Sequence, residues 1–300
     1  MAILKGFFEK KANIINVMQI DFMKMHGLGN DFIIVNCLEN SENVQELIDI
    51  AEELCDRRFG IGGDGLILVL PSKKDDFMMR IINSDGSEPE MCGNGIRCFA
   101  KFLYETKITD KLTFTVETLA GTIVPEIILE EGVAVSVKVD MGEPELVAKR
   151  VPMAANEEQA INYPLKVNDT LTLNVTAVSM GNPHAVTFVD DVWDYPVEEV
   201  GAIVEINKAF PKKTNVEFAE IVDRENIKMR VWERGAGITL ACGTGACATL
   251  VAAVLNGLTE RAATVELPGG PLKIEWSAEN NRIYMTGPAE MVFEGAFEIF

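Results

Sequence analysis

The stretches MCGNGIRC at residues 91–98 and ACGTGAC at residues 241–247 repeat one pattern, in which Cys, Gly, a polar residue and Gly precede an apolar run. Their leading cysteines, Cys92 and Cys242, stand half the length of the 300-residue chain apart. Behind each cysteine, apolar residues recur at positions i, i+3, i+4 and i+7, the spacing of one helix face. These are Ile96, Phe99, Ala100 and Leu103 in the first copy and Cys247, Leu250, Val251 and Val254 in the second. Each copy therefore predicts a helix that begins at a cysteine.

Short strand-like runs surround both predicted helices. They alternate apolar with polar residues or are rich in Val, Ile and Thr, and Gly, Asn or Asp bounds them. The runs are DFIIVN (31–36), GLILVL (65–70), FMMRIIN (77–83), KLTFTVET (111–118), GTIVPEIIL (121–129), VAVSVKVDMG (133–142), TLTLNVTAVSMG (170–181), HAVTFV (184–189), NVEFAEIV (215–222) and NIKMRVWERG (226–235). A third helical pattern follows a candidate cap at Ser41 and comprises Leu47, Ile50, Ala51 and Leu54. A duplicated α+β fold, with two similar lobes and a cleft between them, fits this pattern most simply.

The charge of the chain excludes several classes of partner. Its net charge is −19, from 46 acidic and 27 basic residues, and such a surface repels nucleic acid and anionic membranes. No secretory signal and no apolar run of about 18 residues is present, so we expect a cytoplasmic protein. The six cysteines are then expected to be free thiols. Residues 1–19 are expected to be an extra segment without a chemical role.

A cysteine at a helix start lies at the positive end of the peptide dipoles, beside unpaired N–H groups. The dipole contributes about 0.3–1 kcal/mol, whereas one pKa unit corresponds to about 1.4 kcal/mol. A thiol at this place therefore needs a further neighbour before it can act as a base. Two such helices facing one site would let one sulfur take a proton from a carbon while the other delivers a proton to the opposite face.

The cysteines also have structural interpretations. Cys37, Cys55, Cys98 and Cys247 are expected to be buried small residues. Zinc binding is disfavoured, because both Cys-Cys spacings exceed C-x₂₋₄-C and the chain has only two histidines. A redox dithiol stays open, although there is no C-x-x-C.

Seven motifs in order make the chain resemble diaminopimelate epimerases from about Met23 to the C-terminus: KMHGLGNDF (24–32), GIGGDG (60–65), NSDGSEPEMCGNGIRC (83–98), SMGNPH (179–184), ERGAG (233–237), ACGTGACA (241–248) and LPGGPLKIEW (267–276). The resemblance implies two pseudo-symmetric α+β lobes, each a barrel-like sheet around a central helix, with the active site in the cleft. It also implies that residues 1–140 and 288–300 form the lobe of Cys92 and residues 141–287 that of Cys242. The segment VFEGAFEIF (292–300) would supply a final strand to the first lobe.

By this resemblance Cys92 and Cys242 are the acid–base pair that converts LL- to meso-diaminopimelate, without pyridoxal phosphate, metal or nucleotide. The reacting carboxylate would lie at Gly93, Asn94, Gly243 and Thr244. Other substrate contacts would come from Asn30, Asn83, Asn182, Asn215, Glu233 and Arg234, with His184 in support of a thiol. From the residues alone, each asparagine is equally typical of a turn. Arg234 with Glu233 is equally typical of a surface pair.

Three further polar residues are predicted to be structural: His26, and Asp64 and Asp85 as turn formers. Ile238 stands where the family usually has an acidic residue, and Gly65 where some relatives have an amide. A proline-type racemase of the same fold and a thiol redox or metal-binding protein are the alternative functions. A homodimer is one arrangement that the sequence allows.

Overall fold

The computed structural model describes residues 18–39 and 43–299. Its first half contains β1 (Met18–Gly27), β2 (Asn30–Asn36), α1 (Val44–Asp49), α2 (Ala51–Cys55), β3 (Gly65–Leu70), β4 (Phe77–Asn83), α3 (Gly93–Glu105), β5 (Val116–Thr118), β6 (Gly121–Ile123), β7 (Glu126–Glu130) and β8 (Val133–Asp140). The second half contains β9 (Tyr163–Lys166), β10 (Thr172–Ser179), β11 (Pro183–Phe188), α4 (Val197–Glu205), β12 (Asn215–Ile221), β13 (Asn226–Glu233), β14 (Gly237–Ile238), α5 (Gly243–Leu255), β15 (Ala262–Leu267), β16 (Gly270–Trp276), β17 (Ile283–Gly287) and β18 (Glu290–Ile299). The predicted α+β class is confirmed.

The pairing of strands repeats between the two halves. In the first half β1–β2, β3–β4 and β5–β6 are antiparallel, while β2–β3 and β4–β5 are parallel. In the second half β10–β11, β12–β13 and β15–β16 are antiparallel, while β11–β12 and β13–β15 are parallel. Parallel neighbours need a crossover connection, commonly a helix. In the first half, α1 and α2 lie between β2 and β3, and α3 lies between β4 and β5. In the second half, α4 lies between β11 and β12, and α5 lies between β13 and β15. One structural unit is therefore built twice.

The two long helices form the centre of the core. α3 packs against β1, β2, β3, β4, β7 and β8, and α5 packs against β10 to β13 and β15 to β17. Phe99 and Leu103 on α3, and Leu250 and Val251 on α5, are fully buried. Both predicted helices are thus present, and each is surrounded by strands.

The sheets exchange strands at the boundary between the lobes. β7 and β8 join the eleven-stranded sheet through β17, although α3 packs against β8. β18 pairs antiparallel with β1 at the edge of the seven-stranded sheet, where the motif VFEGAFEIF predicts a strand. The lobe boundary at Asp140 stays a prediction.

Some local predictions are wrong. The single helix predicted around Leu47 is two short helices, because Ile50 leaves helical geometry at φ −102° and ψ 6°. Its proposed cap at Ser41 lies outside the described residues, as does nearly all of segment 1–19. GTIVPEIIL forms two strands separated at Pro125, which has no N–H to donate to a ladder. Of KLTFTVET, only the last three residues belong to a strand.

Helix α4 was not predicted, although Val197, Val200, Gly201 and Val204 follow the spacing of one helix face. It packs on β13, where Gly201 lies against Trp232. Among the described residues, no helix is both long and apolar enough to cross a membrane.

We expect Gly201→Ala to lower the free energy of unfolding by about 1–3 kcal/mol, the usual cost of overpacking. Alanine favours helices over glycine, but a Cβ at Gly201 would lie 2.5 Å from the Cβ and 2.7 Å from the Cγ of Trp232. Urea denaturation measures the change. Ile203→Ala, on the exposed face of α4, is the control and should change stability by less than about 0.5 kcal/mol. A stabilised Gly201→Ala protein would contradict this packing.

Candidate active site

Cys92 immediately precedes α3 and has extended dihedral angles, φ −135° and ψ 119°. Its half-buried Sγ accepts a hydrogen bond from the backbone N–H of Gly95 at 3.4 Å, as an N-cap side chain does. Burial raises the pKa of this thiol, while the N–H groups of Gly95 and Asn94 and the charge of Arg97 lower it. The helix start thus offsets part of the burial effect, as the sequence predicts.

Cys242 occupies the equivalent place before α5, with φ −126° and ψ 106°. Only 5% of it is exposed, and its Sγ lies 3.6 Å from the hydroxyl of Thr244. Its pKa is raised well above the usual range, first by burial and then by the carboxylates of Glu233 and Glu217. The two thiols therefore sit in similar backbone settings with different charges around them.

The two helix starts meet at the side chain of Met285. A Cβ placed on Gly93 would lie 2.9 Å from the methyl carbon of Met285, and one on Gly243 would lie 3.1 Å from its sulfur. The same position on Gly243 is 4.0 Å from Oδ1 of Asn94. The residues that follow the two cysteines therefore face each other across one methionine.

Asn30, the first residue of β2, connects the start of α3 to Asp64, which precedes β3. Its Oδ1 accepts a hydrogen bond from Nδ2 of Asn94 at 3.1 Å and lies 3.7 Å from Sγ of Cys92. Its Nδ2 donates to Oδ2 of Asp64 at 2.8 Å. Because Asp64 takes the donor end, the acceptor end of Asn30 faces the thiol. Asp64, predicted only as a turn former, thus orients a predicted site residue.

Asp64 is itself held by a charged cluster on the same face. Arg57 donates to Oδ1 of Asp64 at 2.9 Å and forms two hydrogen bonds with the carboxylate of Asp31. Burial tends to raise the pKa of Asp31, but Arg57 and Lys24 lower it to about 2. The start of β2, where Asn30 lies, is therefore fixed by ionised groups.

A second chain of hydrogen bonds leads to Cys242. Nδ1 of His184 lies 2.6 Å from Oε1 of Glu217, and its Nε2 lies 3.0 Å from Oδ1 of Asn182. Nδ2 of Asn182 then donates to Oγ1 of Thr244 at 3.3 Å. His184 and Glu217 are both fully buried. His184 thus reaches the thiol through two other side chains.

Glu217 is the residue that sequence reasoning missed. It lies in the NVEF run of β12, whose first five residues are all buried. An acidic residue within an apolar run is the sequence signal that could have identified Glu217, since buried acids are rarely present without a partner. A Cβ on Gly245 would lie 2.8 Å from Oε1 of Glu217 and 3.1 Å from Sγ of Cys242.

The ERGAG segment adjoins Cys242 from β13. The hydroxyl of Thr239 donates to Oε1 of Glu233, and burial raises the pKa of that carboxyl. Asn215 accepts from the backbone N–H of Arg234 and donates to the carbonyl of Pro183, both at 2.9 Å. The Arg234 side chain is exposed and donates to the backbone of Lys212. Asn215 therefore fixes the backbone from which Arg234 extends.

The remaining predicted residues lie apart from this network. Asn83 ends β4 beside Gly65, and its Nδ2 donates to Ser87 at 2.9 Å. The other four cysteines are buried thiols, whose pKa burial raises to about 11 or about 12: Cys37, Cys55, Cys98 and Cys247. Between residues 18 and 39 and from 43 to 299, no group of His, Cys, Asp and Glu is placed to hold a metal ion.

Comparison with known proteins shows the family to which the chain belongs. The chain is 58% identical over 281 residues to the diaminopimelate epimerase of Heliobacterium modesticaldum, covering 92% of this chain and 99% of that protein. It is 54% identical over 287 residues to that of Synechocystis sp., covering 94% of this chain and 100% of that protein.

Solved structures share the fold at low sequence identity. A PhzF-family phenazine biosynthesis protein of Bacillus anthracis has a TM-score of 0.69 at 20% identity, covering 94% of this chain and 99% of that chain. A hydroxyproline epimerase of Agrobacterium vitis has a TM-score of 0.67 at 14% identity, covering 93% and 91%. The family model for diaminopimelate epimerase matches residues 22–147 and 176–292. This chain belongs to the diaminopimelate epimerase family.

Proposed function

We propose that this protein epimerises LL-diaminopimelate to meso-diaminopimelate, with Cys92 and Cys242 as the acid–base pair and no cofactor. The observation that carries the proposal is the meeting of two cysteine-headed helix starts at Met285. In this scheme one sulfur, as thiolate, takes the α-proton, and the electron pair of the broken C–H bond delocalises into the substrate carboxylate. The other sulfur, as thiol, gives its proton to the opposite face, which inverts the carbon.

The reacting carboxylate is proposed to bind between the first turns of α3 and α5. N–H groups of Gly93, Asn94, Gly243 and Thr244 are unpaired within a helix at these positions. Preorganised donors stabilise the charge that develops on the carboxylate during proton removal. Oδ1 of Asn94, buried and without a hydrogen-bond partner, is an acceptor available to a substrate ammonium group.

The far end of the substrate is proposed to contact the polar side chains around the cleft. The exposed guanidinium of Arg234 suits a second carboxylate. Asn83, Asn182 and Glu233 offer amide and carboxylate oxygens to a second ammonium. Asn30, Asn215 and His184 support the site by orienting its other groups.

A proline-type racemase is the alternative within the same fold, since one solved relative is a hydroxyproline epimerase with bound trans-4-OH-L-proline. Proline has no second charged end for Arg234 to bind. A thiol redox or metal-binding protein is the other alternative, and the match of the diaminopimelate epimerase family model to residues 22–147 and 176–292 favours the epimerase. We also propose a cytoplasmic location, and a homodimer stays a prediction.

Replacing Cys92 or Cys242 by Ala should lower net epimerisation of diaminopimelate by at least about 100-fold, the usual contribution of a general acid or base. The measurement is the interconversion of the isomers together with α-proton exchange in heavy water. Cys37→Ala, in a separate part of the core, is the matched control and should retain activity. Near-normal turnover by either site variant, or activity on proline alone, would overturn the proposal.

Asp64→Ala should lower kcat/KM by about 10–100-fold, because Asn30 loses the partner that turns its Oδ1 toward Cys92 and small misplacements are costly. Steady-state kinetics measure the change. The control is Asp223→Ala, which removes an aspartate that likewise accepts from an asparagine amide, Asn226, in a turn. Equal activity of both variants would contradict an orienting role for Asp64.

Glu217→Gln should lower the pKa of Cys242, because the Glu217 carboxylate is one of the groups that raise it. More thiolate is then present at a given pH. The pH at which iodoacetamide alkylates Cys242 at half its maximal rate should therefore fall by about one unit. Peptide mass spectrometry follows the rate across pH. Glu220→Gln, on the same strand but paired with Lys228, is the control. An unshifted profile for Cys242 would show that Glu217 does not act on the thiol.

A further inference from the structure

Arg97 is a charged side chain buried in the centre of the protein. It is completely inaccessible to solvent, and burial lowers its pKa. It lies on the second turn of α3, and its side chain runs back toward the helix start, the direction that helical side chains favour. There Nη1 donates to the carbonyl of Gly93 at 3.0 Å, and Nε donates to the carbonyl of Pro288 at 3.1 Å. The guanidinium therefore lies directly beside the first turn that follows Cys92.

This cation has no carboxylate partner among the described residues. Its hydrogen bonds go to two neutral carbonyls and, at 3.9 Å, to the neutral sulfur of Met285, and Nη2 has no hydrogen-bond partner. Burying a charge is strongly unfavourable unless an opposite charge compensates it. A buried arginine without an acid therefore indicates that its counter-charge comes from another kind of group.

The sequence provides a space fitted to this side chain. A Cβ on Gly27 would lie 2.9 Å from Nη2, and one on Gly287 would lie 3.2 Å from Nε. Any larger residue at these two glycines would press on the guanidinium. The ends of β1 and β17, one from each sheet, thus limit where the guanidinium can lie.

The ionisable groups around Arg97 are sulfurs. Cys92, Cys98 and Cys247 would each stabilise its charge if ionised. Cys98 and Cys247 are fully buried thiols whose pKa is raised to about 12. Cys92 alone of the three is half-buried, and its Sγ accepts a hydrogen bond from the N–H of Gly95 at the helix start. It is therefore the sulfur best placed to carry the counter-charge.

We propose that Arg97 is a positioning residue that holds a fixed positive charge behind the first turn of α3 and so favours the ionised form of Cys92. This inference rests on the proposed function, in which Cys92 exchanges a proton with the substrate. Glu233 opposes the effect of Arg97, because it raises the pKa of Cys92. Asp64 reaches Cys92 through Asn30, whose acceptor oxygen favours the protonated thiol. Arg97 is thus the cation that offsets these two influences.

The test follows the alkylation rate of Cys92 by iodoacetamide against pH, resolved by peptide mass spectrometry. In Arg97→Gln the pH of half-maximal rate should rise by about one unit or more, the usual effect of losing an adjacent opposite charge. Arg97→Met fills a similar buried volume without a charge and should raise the pH of half-maximal rate as far as Arg97→Gln does. Cys242, on which Glu233 and Glu217 act, is the internal reference and should not shift.

Lys101→Gln is the matched control, because it removes a positive charge one turn further along α3, where Lys101 pairs with Glu105. It should leave the Cys92 profile unchanged. An unshifted profile in either Arg97→Gln or Arg97→Met would overturn the proposal in favour of a packing role. If Arg97→Gln does not fold, the Arg97→Met profile decides alone by the same criterion.

Alkylation requires no turnover, so the result is independent of the proposed reaction. Retained epimerisation in Cys92→Ala would reject the function while leaving the influence of Arg97 on the thiol measurable. An unshifted Arg97→Gln profile with an inactive Cys92→Ala would reject the role of Arg97 alone.

Discussion

Two helices begin against one methionine, and this contact determines what the rest of the structure can do. Because Gly93 and Gly243 both face Met285, the residues that precede them bring two thiols toward a common space. A side chain at either place would press on Met285, which would have to shift to admit it. The duplicated pairing of strands serves the same arrangement. Each half uses its second parallel crossover for a long helix, so the two helices start at equivalent points of equivalent sheets.

Equivalent backbones do not make the thiols equivalent. Burial raises the pKa of both, and each precedes a helix whose N–H groups favour a negative charge. The difference comes from side chains, with the cation of Arg97 beside Cys92 and the carboxylates of Glu233 and Glu217 beside Cys242. A two-base reaction needs one sulfur ionised and one protonated at the same moment. An uneven distribution of charge favours that mixed state over one in which both thiols are protonated.

Local spacing was sufficient to predict the helices α3 and α5 and the cysteine that precedes each of them. Cys-Gly-x-Gly before an i, i+3, i+4, i+7 run predicts α3 and α5 without tertiary information. Hydrogen-bond partners distant in sequence could not be predicted this way. Asp64 meets Asn30 because β2 and β3 are parallel neighbours, and Glu217 meets His184 because β11 and β12 are. Helix α4 was overlooked although its valines follow a helical spacing, while the break at Ile50 has no local signal such as Gly or Pro.

The isoleucine at position 238, where the family usually has an acidic residue, does not leave Cys242 without carboxylates. Ile238 lies in β14 opposite Trp232, and its side chain is 44% exposed, in contrast to the buried thiol. The next residue, Thr239, donates to Glu233, and Glu233 with the buried Glu217 supplies negative charge beside the sulfur. The environment of Cys242 therefore depends on strands β12 and β13. An exchange at the exposed end of β14 alters the rim of the site and leaves those two carboxylates in place.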